Sequence, residues 1–153
     1  VNVTAANCSQ GYGVYVSGGT CSLKNSIIRG NTFGGVAVGG TGAATATYTC
    51  LQEDLEGEGN MVEDPLFVDG TYFHVFSRAG YYTGGWFKPT GAWSTARVPG
   101  ITKGVSPAID AGPHGWPLGD EPEPRGRRIN LGAYGGTPTA SKTCFDGTML
   151  YLR

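Results

Sequence analysis

The stretch Ser106–Gly112 reads SPAIDAG. After an intervening loop comes a second motif, Arg128–Thr137, which reads RINLGAYGGT. Each stretch sets a short apolar segment between residues that bend the chain. Pro107 fixes its own φ angle, while Gly112 and Gly132 admit backbone conformations that are closed to other residues. The two stretches therefore predict short strands that bracket a loop and end a domain.

A third motif, Asp64–Asp69 (DPLFVD), precedes these two along the chain. In this order the three motifs resemble the C-terminal part of secreted right-handed parallel β-helix proteins, a family allied in fold to the pectate lyases. The resemblance extends from about Gly11 to Ser141. It implies an architecture, and because one fold carries many activities, it does not by itself imply a function.

Composition favours a small globular protein. A chain of 153 residues is the size of one ordinary domain, and its 27 glycines without a collagen-like period indicate tight turns between short strands. Charged residues are only 15% and the formal net charge is −1, so no broad basic surface favours binding to nucleic acid or to an anionic membrane. No apolar run approaches the ~20 residues that a membrane span needs.

The first part of the chain repeats itself. Gly13–Val16 recurs as Gly35–Val38, and Leu23–Ile28 aligns with Ala46–Leu51. The repeat length is the period of one coil of a parallel solenoid. We therefore expect an all-β chain that forms a short right-handed parallel β-helix of two to three coils, followed by a loop-rich C-terminal cap. The positions expected to share one interior are Val14, Val16, Leu23 and Ile27, stacked on Val36, Val38, Ala46 and Cys50.

We expect one domain over residues 1–153. Its parts are the coils at 1–60, a cap at 61–141 with an aromatic insertion at 78–104, and a C-terminal β-tail at 142–153. Within the cap, a turn at Asp69-Gly70 predicts a hairpin-like element. Asparagines at the bends of the coils are expected to form side-chain hydrogen-bond ladders; they are Asn7, Asn25, Asn31 and Asn60.

Cysteine usage favours an oxidising compartment. Cys8, Cys21, Cys50 and Cys144 lack the C-x-x-C spacing of a zinc or redox site, so disulfides are the favoured interpretation. Four cysteines allow three pairings; Cys8–Cys21 is the favoured local bridge, and Cys50, aligned with the inward Ile27, is alternatively a small core residue. Two glycosylation sequons begin at Asn2 and Asn7. These features predict a glycoprotein that is secreted, extracellular or at the cell surface.

The aromatic insertion is the candidate carbohydrate-binding segment. Flat aromatic faces beside flexible turns suit sugar binding, because the C–H face of a pyranose packs on a ring as an apolar surface does. The same composition describes a loop that folds back to cover the solenoid, and this interpretation is favoured. The candidate sugar-binding residues are Tyr81, Tyr82, Trp86 and Trp93.

No motif predicts a catalytic or metal site. Carboxylates of Asp54, Glu56 and Glu58 alternate with other residues and offer the oxygen ligands that calcium takes, but a solvated acidic turn is favoured because their spacing matches no EF-hand. His74 lies in an apolar alternation typical of a core strand. Acidic and basic residues between Pro113 and Arg128 are expected to pair locally on a surface loop. The lyase roles of arginine and lysine have no matching motif here, so no catalytic residue is assigned.

Three classes of function remain, with a non-catalytic role favoured over an enzyme. The first is a structural module that assembles with other copies head-to-tail, and into a filament if no ring closes. Its basis is an open edge on the first coil and a surplus apolar tail with Cys144 at its root. The alternatives are a C-terminal fragment of a polysaccharide lyase or glycoside hydrolase, and a carbohydrate-binding module. The residues of the expected assembly tail are Thr148, Met149, Leu150, Tyr151 and Leu152.

Overall fold

The computed structural model describes residues 1–85 and 90–145, and in these ranges the chain forms strands and no helix. The all-β prediction is confirmed. No segment of the described ranges forms a helix suited to crossing a membrane. The strands are β1 (Thr4–Ala6), β2 (Tyr12–Val16), β3 (Thr20–Lys24), β4 (Ile27–Arg29), β5 (Gly34–Val38), β6 (Ala43–Thr47), β7 (Cys50–Leu51), β8 (Tyr81–Tyr82) and β9 (Trp93–Ser94).

The first seven strands form three parallel sheets, in the orders β1-β4-β7, β2-β5 and β3-β6. We call β1 to β3 the first pass of the chain, β4 to β6 the second, and the segment that starts at β7 the third. Thr4 lies opposite Ile27, which lies opposite Cys50, and Tyr12 lies opposite Gly34. The repeat seen in the sequence is therefore the register of the sheets.

The repeat is marked by left-handed bends before the first strand of each pass. Asn2, Asn25 and Tyr48 have φ angles of 55°, 51° and 48° and follow one another at equal intervals along the chain. Residues other than glycine adopt this conformation at a cost, and asparagine tolerates it better than most. Tyr48 is held there by its contact with Glu58: its backbone N–H donates to the Glu58 carbonyl at 2.7 Å, and its hydroxyl donates to the Glu58 carboxylate.

Polar side chains at the bends bond the neighbouring pass, as expected for most of these asparagines. The Asn25 amide donates to Oδ1 of Asn2 at 3.0 Å. Oδ1 of Asn31 accepts from the Cys8 backbone N–H at 3.0 Å, which binds the second pass to the first at another bend. The stacking of the passes thus depends on side-chain bonds as well as on the strand ladders.

The sheet β1-β4-β7 is buried on both faces, which corrects the expected interior. Ile28 and Leu51 pack between the sheets with Leu23, whereas Ile27 and Cys50 lie on the opposite face. The reason is the strand geometry: successive side chains point to opposite faces, so Ile27 and Ile28 cannot share one interior. On the outer face Ile27 and Cys50 meet an apolar layer from the C-terminal half; its buried members are Val75, Ala108, Ile109, Ala111 and Leu131.

The expected burial of Val38 is wrong. Its side chain is 55% exposed at the end of β5, although Val36 on the same strand packs against the interior as expected. The second pass therefore leaves part of its apolar surface uncovered.

The two motifs around Ile109 and Leu131 lie side by side in this outer layer. Leu131 N–H donates to the Ala108 carbonyl, and Gly112 N–H donates to the Ile129 carbonyl, both at 2.8 Å. The hairpin predicted near Asp69 is also present, since Phe67 pairs with Val75 in an antiparallel bridge. Oδ1 of Asp69 accepts from two backbone N–H groups of the turn.

Asn25 connects the outer layer to the sheets. Its side-chain amide donates to the Asn130 carbonyl at 2.8 Å as well as to Asn2, and its own carbonyl accepts from Gly132 N–H at 2.9 Å. Asn130 in turn accepts from Asp110 N–H and donates to the Ser141 carbonyl. One buried asparagine thus joins two passes and both motifs.

Replacing Asn25 by alanine is expected to lower the free energy of unfolding by about 2–4 kcal/mol, because the left-handed bend is strained without asparagine and a buried carbonyl loses its donor. The matched control is Asn7→Ala, which changes the same residue type at the same kind of bend (φ 55°) but at an exposed position. That control is expected to cost about 1 kcal/mol. Urea unfolding followed by tryptophan fluorescence measures both, and equal losses would contradict the assignment.

Candidate functional site

The third pass is incomplete. After β7 the chain makes a short loop and returns, so that Met61 N–H donates to the Thr49 carbonyl at 3.0 Å and Leu51 N–H donates to the Met61 carbonyl at 2.7 Å. No strand in the described ranges pairs with the outer edge of β5 or of β6. Two of the three parallel sheets therefore end in open edges.

Side chains from the loop replace the missing strand at its two ends. The Gln52 amide bonds both the N–H and the carbonyl of Asn31, at 2.7 and 2.8 Å. Both carboxylate oxygens of Glu53 accept from the buried N–H of Gly35, at 3.0 and 2.8 Å. At the far end the Asn60 amide donates to the Ala46 carbonyl at 3.0 Å. The middle of the β5 and β6 edges has no such substitute among the described residues.

A recess of about 310 Å³ lies where the third strand would lie. Its walls are mostly apolar, and two acidic residues, Glu53 and Asp54, also line it. The apolar lining residues are Val36, Val38, Ala43, Ala44, Leu51 and Leu55. An apolar recess beside an open strand edge is suited to receiving a strand from another chain.

Charge is divided sharply between the passes and this loop. Residues 1–52 contain no Asp or Glu and carry two cationic side chains, Lys24 and Arg29. Acidic residues then cluster in the loop and just beyond it: Glu53, Asp54, Glu56, Glu58, Glu63 and Asp64. The end of the stack that carries the recess is therefore acidic, and the passes themselves are weakly basic.

Sequence reasoning identified the acidic turn but missed the recess. The signal was present in the repeat: one period after Gly35–Val38 the chain reads Gly57–Asn60 (GEGN), which has no apolar residue to form a strand. Reading this failure of the pattern as an open edge, rather than as the start of a cap, would have located the recess.

The aromatic insertion forms mainly a cover. Tyr81 and Tyr82 are only 6% and 7% exposed in β8, which pairs antiparallel with β9. The Tyr81 hydroxyl donates to the Ala96 carbonyl at 3.1 Å. Of the candidate sugar-binding residues that the structure describes, only Trp93, 40% exposed, presents its ring to solvent, and Trp86 lies outside the described residues. The favoured covering interpretation fits both tyrosines.

A second aromatic group, missed from the sequence, lies on the outer surface of the sheet β2-β5. Tyr12 and Tyr15 have ring centroids 5.9 Å apart, and the Tyr12 ring meets Phe33 edge-on. These tyrosines lie over glycines of the neighbouring strand and the turn after it, and a Cβ at Gly39 would overlap the Tyr15 hydroxyl. Aromatic side chains that cover strand glycines stabilise a sheet, which accounts for this group.

His74 is a buried structural residue. It is 1% exposed, its Nε2 lies 2.8 Å from the Gly84 carbonyl oxygen, and its ring stacks on Tyr134 with centroids 3.7 Å apart. Burial lowers the pKa of His74, because the charged form loses its hydration. The imidazole is thus held neutral within the outer layer, away from the open edges.

Glu121 corrects the expectation of surface pairing in the loop before Arg128. It is 5% exposed, and Oε1 accepts from the N–H groups of Asn130 and Gly136 at 2.8 and 2.9 Å. Burial raises its pKa, an effect that these hydrogen bonds oppose. The Arg125–Glu123 pair, at 2.9 Å, is the local surface contact that was expected. Glu121 instead secures the RINLGAYGG turn.

No disulfide joins any of the four cysteines, all of which lie within the described ranges, so the expected Cys8–Cys21 bridge is absent. Cys8 is exposed at a bend, whereas Cys21 lies in β3 opposite Ala44. Cys50 is the small core residue foreseen as the alternative: it is fully buried, its Sγ donates to the Glu63 carbonyl at 3.2 Å, and burial raises its pKa to about 11.

The residues of the predicted calcium and glycosylation sites differ in their exposure. Asp54, Glu56 and Glu58 are exposed, and within residues 1–85 and 90–145 no three His, Cys, Asp or Glu side chains are placed to share a metal ion. Of the two sequons, Asn7 is exposed, while the Asn2 amide donates to the Gly135 carbonyl at 3.4 Å.

The predicted assembly tail falls beyond residue 145, the last that the structure describes. Its strand character therefore stays a prediction. The tail residues that lie outside the described ranges are Thr148, Met149, Leu150, Tyr151 and Leu152.

No family model, curated protein or solved structure matches this chain.

The pKa of His74 predicts a pH dependence of stability. In the unfolded chain the imidazole takes up a proton near pH 6.5, but the folded protein resists protonation until a lower pH. Folding therefore loses His74-dependent stability as the pH falls below about 6.5. The pKa values of Asp110 and Glu121 are raised, so the protonation of these carboxylates at lower pH favours the folded state. Both groups are present in every variant, so their effect on stability is common to all of them.

The variant His74→Gln is expected to be less stable than the parent at pH 7.5, with a difference in Tm that narrows as the pH is lowered to 5. Thermal unfolding across this range measures it. His114→Gln, which removes the exposed imidazole, is the matched control and should leave the profile close to that of the parent. A His74→Gln difference that stayed constant or widened would contradict the placement of a neutral, buried His74.

Proposed function

We propose that this chain is a non-catalytic extracellular structural module that self-assembles head-to-tail through its strand edges. The observation that carries the proposal is the open edge of β5 and β6 beside the apolar recess. Its premise is that the three parallel sheets are the faces of a short right-handed parallel β-helix. The repeating strand registers and the recurring bends at Asn2, Asn25 and Tyr48 support that premise.

An unpaired strand edge is a template for another strand, because its N–H and carbonyl groups await partners. The strands that suit the β5 and β6 edges are β2 and β3 of a second copy. Within one chain these strands already pair with β5 and β6 in parallel. A second copy stacked on the recess would therefore continue two sheets in their existing direction.

The charge distribution favours this orientation. The first pass, with Lys24 at the end of β3 and no carboxylate, would approach the acidic end that carries Glu53 and Asp54. Opposite charges speed and orient association, and salt weakens their effect at exposed positions. Because donor and acceptor surfaces differ, the contact is head-to-tail, and it propagates into a filament unless the rotation closes a ring.

The tail Thr148–Leu152 is the second element of the proposal, as a strand donated to a neighbour. The residues that lead to it are held in place: Thr143 N–H donates to the Pro124 carbonyl at 2.8 Å, and its hydroxyl donates to Asp110 at 2.9 Å. Cys144, half-buried beside Arg78, is positioned at the root of the tail, where a bridge between chains would lock the contact.

Extracellular location is supported by the exposed sequon asparagine, Asn7. The carbohydrate-binding alternative keeps one specific observation in its favour, the exposed ring of Trp93.

The variant Ala43→Lys is expected to weaken self-association by at least about tenfold, because a long cation at the β6 edge blocks strand addition, as edge lysines do in natural sheets. Ala92→Lys is the matched control, since it makes the same change at another exposed alanine, away from the recess. Sedimentation velocity over a range of protein and salt concentrations measures the assembly, and a protein lacking residues 145–153 tests the tail separately.

The proposal predicts that the parent and the Ala92→Lys variant form the same concentration-dependent species and that high salt reduces it. A monomer at all concentrations, or equal assembly of both lysine variants, would contradict the edge contact. An assembly unchanged by the truncation would remove the tail from the proposal and leave the edge contact standing.

A further inference from the structure

A second and larger recess, of about 540 Å³, lies between Arg78 and the segment 95–104. Its volume falls within the range of small-molecule and saccharide sites. It is distinct from the recess at the β5 and β6 edges, with which it shares no residue. The residues that line it are Phe76, Arg78, Thr95, Arg97, Ile101, Thr102, Lys103 and Gly104.

The charged side chains that line this recess are all cationic among the described residues. Arg78, Arg97 and Lys103 contribute cationic groups, and none of the described lining residues is acidic. Charges of one sign that converge on a concave surface raise the local concentration of opposite charges. Arginine adds geometric selectivity, because its planar fork matches the oxygens of an oxyanion.

The recess is built by specific contacts. Ser77 and Val105 pair in an antiparallel bridge, and Arg78 N–H donates to the Gly104 carbonyl at 3.0 Å, so the two walls are joined at their base. A Cβ at Gly104 would lie 3.1 Å from the guanidinium of Arg78, so the two walls approach each other closely at this point. Nε of Arg78 donates to Cys144 Sγ at 2.8 Å and thereby fixes the side chain.

The opposite wall is fixed from below by Tyr81. Its hydroxyl donates to the Ala96 carbonyl and lies 3.2 Å from the Ser94 hydroxyl. With Ser94 and Ala96 held toward Tyr81, the alternate residues Thr95 and Arg97 are directed to the recess. The buried tyrosine predicted to bind sugar therefore acts by positioning the wall of a site.

Trp93 stands beside this wall, two residues before Thr95. Its ring is 40% exposed, and the ammonium of Lys142 lies 4.7 Å from the ring centroid, so a cation borders this ring. An apolar aromatic surface bordered by cations suits a sugar that carries acidic groups. The C–H face of such a sugar packs on apolar surface, while its oxyanions pair with arginine and lysine.

We propose that this recess binds an anionic polysaccharide, whose carboxylate or sulfate groups are held by Arg97 and Lys103 and whose sugar rings extend toward Trp93. Nucleic acid is a poorer fit, because the recess groups only three cations on a chain of net charge −1, whereas nucleic-acid binding uses an extended basic surface. The proposal does not depend on the contact at the β5 and β6 edges, which uses another surface.

Heparin (sulfated), polygalacturonate (carboxylated) and dextran (neutral) test the site by isothermal titration calorimetry on the full chain. Binding to one or both anionic polymers that weakens with salt, with no binding to dextran, is expected. Their relative affinities identify which oxyanion the site prefers. The variant Arg97→Glu should reduce this affinity by at least about tenfold. Arg127→Glu, the same change at an exposed arginine of another loop, is the matched control.

Equal losses in the two variants would show attraction by general charge and overturn the site, as would the absence of binding to both anionic polymers. Thermal unfolding of both variants checks that each is folded. Because Arg97 lies outside the β5 and β6 edges, its replacement should leave the sedimentation behaviour unchanged. Loss of assembly together with binding would mean that the two surfaces are not independent.

Discussion

The hydrogen bonds of Asn25 are the contacts on which the arrangement of this chain most depends. Its left-handed backbone turns the chain from the first pass into the second, and its amide bonds both Asn2 and Asn130. The bend therefore fixes the spacing of the passes and also attaches the outer layer. Once that layer is attached, the sheet β1-β4-β7 is buried on both faces and Met61 bridges the outer side of β7, whereas no strand of residues 1–85 and 90–145 pairs with the outer edges of β5 and β6.

Much of the fold was predictable from local pattern. The recurrence of Gly13–Val16 as Gly35–Val38 indicated the strand register, the turn residues indicated the bends, and Asp69 indicated a hairpin. The interior was assigned wrongly at Ile27 and Cys50, because both members of the Ile27-Ile28 pair are apolar and the pattern does not say which faces inward. Only the second apolar layer, brought from distant residues such as Leu131, explains why both are buried.

The candidate sites were less predictable, because one arises where a strand is missing and the other joins residues that are far apart in the sequence. The recess at the β5 edge exists because the loop after β7 forms no strand there, and Glu53 can bond Gly35 only in the folded chain. The cationic recess joins Arg78 to Arg97 across an insertion whose aromatic composition indicated a cover or a sugar-binding segment, and not a cationic site. Glu121 appeared as one charge among several in a loop, and only its bonds to Asn130 and Gly136 show its role.

The central claim is that the incomplete third pass leaves β5 and β6 as the surface through which copies associate. Hydrogen–deuterium exchange, followed by mass spectrometry at low and at high protein concentration, tests it most directly. The account predicts that peptides covering Gly34–Val38 and Ala43–Thr47 exchange more slowly at high concentration, while Ile27–Arg29, already paired on both sides, exchanges equally at both. Assembly without slower exchange in β5 and β6 would contradict the claim.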